Sequence, residues 1–158
     1  MRKFALLVGM SVGFASPALA ADTHVAWQGF FTVTGTTAAC AGIGGTSVGD
    51  TNVAVYRAGQ TATDISSMSI IFTRSAINFQ NADEANNRQL RGNGTAYVKA
   101  MNKRGKPYAY QTTFSNITTS PATVYASSGY VVMTGTLNNM WTEPGCNVTF
   151  TATFGKEP

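Results

Sequence analysis

Beyond residue 20 this chain holds only two leucines, Leu90 and Leu137, against 22 threonines. Helices draw on Leu, Lys, Glu and Arg, whereas Thr, Val, Ile, Phe and Tyr fit the pleated surface of a strand. Charged residues make up 11% of the 158 positions, where a soluble domain ordinarily carries about 25%. A helical bundle and a doubly wound α/β enzyme are thereby excluded. High apolar content with low net charge argues against a disordered chain.

Period-two alternation then marks the strands. In residues 25–34, Val25, Trp27, Phe31 and Val33 share one face and Gln28, Thr32 and Thr34 the other, with Phe30 out of step. Residues 35–50 hold several glycines and read as a loop. Residues 53–57 form a short strand. Residues 65–73 form the next, and Ile77 and Phe79 continue it past a kink near Ser75. Residues 80–91 are polar and non-alternating, with Asn81 and Glu84 spaced like a capping box, so a short helix and a loop both remain open. Tyr97 to Met101 and residues 108–114 flank a turn, Asn102-Lys103-Arg104-Gly105-Lys106-Pro107, and predict a hairpin. Residues 130–137 follow. The cleanest alternation comes last, with Cys146, Val148, Phe150, Ala152 and Phe154 facing in and Thr149, Thr151 and Thr153 facing out. Seven to nine short strands of this kind predict an all-β fold, an antiparallel β-sandwich, with a partly closed β-barrel as the alternative.

Residues 1–20 read as a secretory signal peptide. Arg2 and Lys3 precede an apolar run over residues 4–14, and Ala18-Leu19-Ala20 supplies small residues for cleavage. That run falls well short of the roughly 20 residues that span a bilayer. Removal leaves one β-sandwich domain over residues 21–158 and lowers the formal charge from +4 to +2. Basicity alone therefore does not point to nucleic acid. The expected location is periplasmic or extracellular. There, the only two cysteines, Cys40 and Cys146, are expected to form a disulfide. It would clasp the end of the first strand to the start of the last.

Catalytic groups are scarce. His24 is the single histidine and stands near the expected new N-terminus; the seven carboxylates sit mostly in turn contexts. No nucleophile elbow, phosphate loop or dinucleotide fingerprint occurs. Two cysteines and one histidine do not complete a metal shell without carboxylates. No enzyme, cofactor or metal is expected.

Binding offers more. Lys103, Arg104 and Lys106 crowd the hairpin tip, with Tyr97, Tyr108 and Tyr110 interleaved, and could attract an anionic envelope polymer, an acidic glycan or a lipid head group. Trp141, in a loop between Asn138-Asn139 and Glu143-Pro144-Gly145, is a candidate for stacking on a sugar ring, whereas Trp27 belongs to the core. Thr149, Thr151 and Thr153 form an outward row, although one strand is too narrow for an ice-type array.

Residues 25–40, VAWQGFFTVTGTTAAC, resemble the first strand of a chaperone–usher pilin subunit, in which a signal peptide leads into a strand that reaches a cysteine. The resemblance covers about sixteen residues and implies strand-donation assembly. In pilins the partner cysteine follows within a few tens of residues, whereas here it is Cys146, and the C-terminal residues 151–158 lack the usual aromatic ending. The sequence thus predicts an exported, non-enzymatic binding or structural domain at the cell envelope, its partner an anionic envelope polymer, glycan or lipid head group, or another envelope protein. A pilin-like surface-assembly or adhesin subunit and a carbohydrate-binding module are the alternatives.

Overall fold

A computed structural model describes residues 25–59, 66–73, 75–80, 92–100 and 111–156, with backbone alone over 92–100 and at 111. The chain is all-β and antiparallel, as expected. Among the described residues the eight strands are β1 (Val25–Thr36), β2 (Thr51–Ala58), β3 (Ser67–Phe72), β4 (Ser75–Gln80), β5 (Gly92–Ala100), β6 (Gln111–Ser120), β7 (Tyr130–Asn138) and β8 (Val148–Lys156). Each pairs with the next in sequence, and β8 pairs back with β1 from Trp27↔Lys156 to Thr36↔Val148. The circuit of hydrogen-bonded strands is closed.

Alternation explains which side chains fill it. Trp27, Phe31 and Val33 of β1 are buried while Gln28 and Phe30 face out, and Val148, Phe150, Ala152 and Phe154 of β8 are buried between outward threonines. Aromatic rings meet across the interior: Phe31 lies 4.8 Å from Phe150, and Tyr56 sits 5.8 Å from both Trp27 and Phe154. Such pairs add about 0.5–1.5 kcal/mol each beyond the area they bury.

One expectation is corrected. Residues 75–79 do not continue the preceding strand past a kink; the chain reverses, and β4 pairs antiparallel with β3 from Phe72↔Ser75 to Ser67↔Gln80. The physical reason is parity. Met68, Ile70 and Phe72 occupy even positions and Ile77 and Phe79 odd ones, so a two-residue turn is needed to return both sets to the same face. The predicted 97–114 hairpin has its two arms paired as β5 and β6, while its turn lies outside the described residues. Residues 1–24 and 81–91 do too, so the signal-peptide and helix-or-loop readings gain no structural description.

Two irregularities shape the interior. In β6 the pairing steps from Ser115↔Thr136 to Thr118↔Thr134, one residue longer on the β6 side, with Asn116 at φ 55°. This bulge turns Ile117 inward after Phe114 has already pointed in. Ile117 then fills the space above Gly135, where an added Cβ would overlap its Cδ1. At Gly29, between Trp27 and Phe31, a Cβ would overlap the Thr153 carbonyl, so β1 and β8 approach closely because that position carries no side chain.

Candidate functional site

The rim where β1 ends and β8 begins is tied by the Cys40–Cys146 disulfide, with Cα atoms 4.5 Å apart. Because β1 and β8 are hydrogen-bonded neighbours, the bond clasps adjacent strands of one circuit. Cys40 ends a short 3₁₀ turn (Ala38–Cys40), and Cys146 lies two residues ahead of β8. Polar bonds reinforce the clasp. The Thr37 hydroxyl donates to the Gly145 carbonyl at 2.6 Å and accepts from the Asn147 amide at 2.9 Å. Asn139 Oδ1 accepts from the Gly145 amide, and the buried Thr112 hydroxyl donates to the Asn139 carbonyl.

Within this framework the β7–β8 connection is strained. Asn139, Trp141 and Thr142 all have positive φ, at 53°, 55° and 74°. A left-handed backbone costs a residue with a Cβ roughly 1–2 kcal/mol, more readily tolerated by Asn than by Trp or β-branched Thr. The effect is to turn the Trp141 indole back over the rim. Its Nε1–H donates to the Gly44 carbonyl at 3.2 Å, and its ring meets Phe72 edge-on with centroids 4.7 Å apart. Gly45, at φ 76°, lets the loop lie against Phe72; a Cβ there would sit 3.0 Å from the Phe72 ring.

Beside the two rings opens a cleft of about 520 Å³, lined by Ile43, Gly44, Gly45, Asn52, Phe72, Thr73, Ser75 and Trp141. None of these side chains is charged. Three of them, Asn52, Thr73 and Ser75, bring hydrogen-bonding groups, and the aromatic pair brings apolar surface. That combination suits an uncharged ligand with one apolar face and several hydroxyls.

Of the residues singled out by sequence, the structure brings Trp141 into this cleft and joins Cys40 to Cys146. Tyr97 is placed in β5, opposite Asn78 and Gln111. Lys103, Arg104, Lys106, Tyr108 and Tyr110 lie outside the described residues. Phe72 and Asn52 were missed. Each sits in a strand and reads there as an ordinary strand residue; only the folded rim sets them beside Trp141. Asp50 accepts a hydrogen bond from the Ser47 amide at 2.9 Å, and Glu143 is exposed. Among the described residues no three His, Cys, Asp or Glu side chains cluster to hold a metal, and no helix is long and apolar enough to cross a membrane. No family model, curated protein or solved structure matches this chain.

Proposed function

We propose that this chain is an exported, non-catalytic binding domain built on a small closed β-barrel, which seats a neutral sugar residue in the cleft beside Trp141. The pairing of β8 with β1 supports the barrel over the sandwich. It also favours isolated binding over pilin-like strand donation, since the paired strands offer no open edge between β1 and β8 for a donated strand to fill. Export is supported by the leader-like residues 1–20 and by the disulfide, a bond that persists in oxidising compartments.

The observation that carries the sugar reading is a strained Trp141, its ring forming one wall of a cleft whose described lining side chains carry no charge, at a barrel mouth, where small-molecule sites recur. The aliphatic C–H face of a pyranose would lie on the indole, and Asn52, Thr73 and Ser75 would meet its hydroxyls. Titration of the mature protein with neutral oligosaccharides, followed by tryptophan fluorescence, tests this. Saturable binding is expected, weakened at least tenfold in Trp141→Ala. Equal affinity in wild type and variant would refute the assignment.

A further inference from the structure

The outer face of the barrel carries a second pattern, which strand register creates. Thr51, Thr32, Thr151, Thr134 and Thr118 stand directly opposite one another on β2, β1, β8, β7 and β6. They form one row of hydroxyls across five strands, roughly 19 Å long at about 4.8 Å per strand. Neighbouring members are already bonded, with Thr32 and Thr51 hydroxyls 3.2 Å apart and Thr118 and Thr134 2.9 Å apart. Each hydroxyl retains further acceptor capacity, and β-branching keeps its direction narrow.

Two residues along each strand runs a parallel row of different character: Ile71, Val53, Phe30, Thr153 and Val132 on β3, β2, β1, β8 and β7. Phe30 is 57% exposed, Ile71 49% and Val53 47%. Three large apolar side chains side by side in water are unusual on a solvated sheet face. Phe30, the residue out of step with the β1 alternation, is the centre of this row. None of these named members is charged; past Ile71 the register carries the second row through Ala76 of β4 to Lys99 of β5.

We infer that these paired rows form a second site, which takes a neutral polysaccharide chain laid across the strands. A polysaccharide is an amphipathic ribbon, with C–H surface on its ring faces and hydroxyls along its edges. The row separation, roughly 7 Å along the strand, is about the breadth of one sugar ring. The apolar row would receive the ring faces and the threonine row the edge hydroxyls. The named members of the two rows, being uncharged, offer an acidic polymer no paired cation. Curvature decides against ice, the other occupant that a threonine array suggests: the row bends with the barrel, so a rigid plane meets part of it, whereas a jointed chain follows it. The site stands independently of the Trp141 cleft.

Affinity electrophoresis of the mature protein through gels containing neutral polysaccharides (a mannan, a β-glucan, a dextran), with an acidic polymer as control, tests it. Wild type is expected to be retarded by at least one neutral polymer and not by the acidic one. Phe30→Ser/Val53→Ser and, separately, Thr32→Lys/Thr151→Lys are each expected to lose at least fivefold in affinity while keeping the wild-type melting profile. Made in a Trp141→Ala background, where the cleft no longer contributes, the same row substitutions are expected to remove the retardation that remains, which separates failure of this site from failure of the cleft. No retardation by any neutral polymer would overturn the inference. So would retardation unchanged in both row variants, loss of a dimer on sizing as the sole effect of Phe30→Ser/Val53→Ser, or inhibition of ice growth without polymer binding.

Discussion

The chain's two tryptophans sit at opposite rims of one circuit of strands and are held in opposite ways. Trp27 occupies regular β1 backbone, is fully buried against Tyr56, and donates its Nε1–H to the Ser128 carbonyl at 2.7 Å. Trp141 has left-handed backbone, is partly exposed, and lies over a cleft. One indole closes its end by relaxed packing; the other is held, half-buried, on strained backbone beside a cleft. Strain retained beside a cleft suits a binding role, whereas strain in a plug would only cost stability. The lesson is that residue type does not distinguish these roles and backbone geometry does.

The comparison breaks most visibly at the staple. The cysteines are 106 residues apart in sequence, and a loop of that size is expected to contribute about 4–5 kcal/mol on the chain-entropy account. Cys40→Ser/Cys146→Ser should therefore shift the urea midpoint sharply downward. An unchanged midpoint would mean that the hydrogen bonds of Thr37 and Asn139 hold the rim by themselves.

Next come the tryptophans themselves. Trp27→Ala leaves a large cavity beside Tyr56 and is expected to cost about 4 kcal/mol. Trp141→Ala, losing the edge contact with Phe72 and one exposed hydrogen bond, should cost about 1 kcal/mol. Similar losses for both, measured by equilibrium unfolding, would erase the distinction between plug and cleft wall. The smallest effect has the opposite sign. Thr142→Gly removes a β-branched residue from φ 74° and should stabilise by about 0.5 kcal/mol, the relieved strain being partly offset by the entropy of glycine. A destabilised Thr142→Gly would show that the Thr142 side chain makes contacts outweighing its strain.

Much of this architecture was legible. Alternation in residues 146–154 identified the core face of β8, and cysteine count and position identified the staple. Trp27 and Trp141 were told apart by their surroundings, a periodic strand and an Asn-, Pro- and Gly-containing loop. The reversal between β3 and β4 was misread although the parity of Phe72 and Ile77 records it, because a break in spacing also fits a kink. Three things had no local signal. The bulge at Asn116 depends on Ile117 finding space over Gly135, which belongs to another strand. Left-handed backbone at Trp141 and Thr142 is imposed by the loop's bonds to the opposite side of the rim. The threonine and apolar rows exist only once six strands have taken their register, which long-range pairing sets.

Pairing of Trp27 with Lys156 sets the first and last described strands side by side at the rim away from the disulfide. Nine residues of β8, at about 3.3 Å each, put that rim roughly 30 Å from the cleft. The geometry makes the domain a natural insert. Spliced by both ends into a surface loop of a host protein, or joined end to end and reopened in the exposed residues 125–127, it would keep its strand circuit intact. In either arrangement the attachment points leave together on one side, and the Trp141 cleft is presented on the other, facing away from whatever carries it.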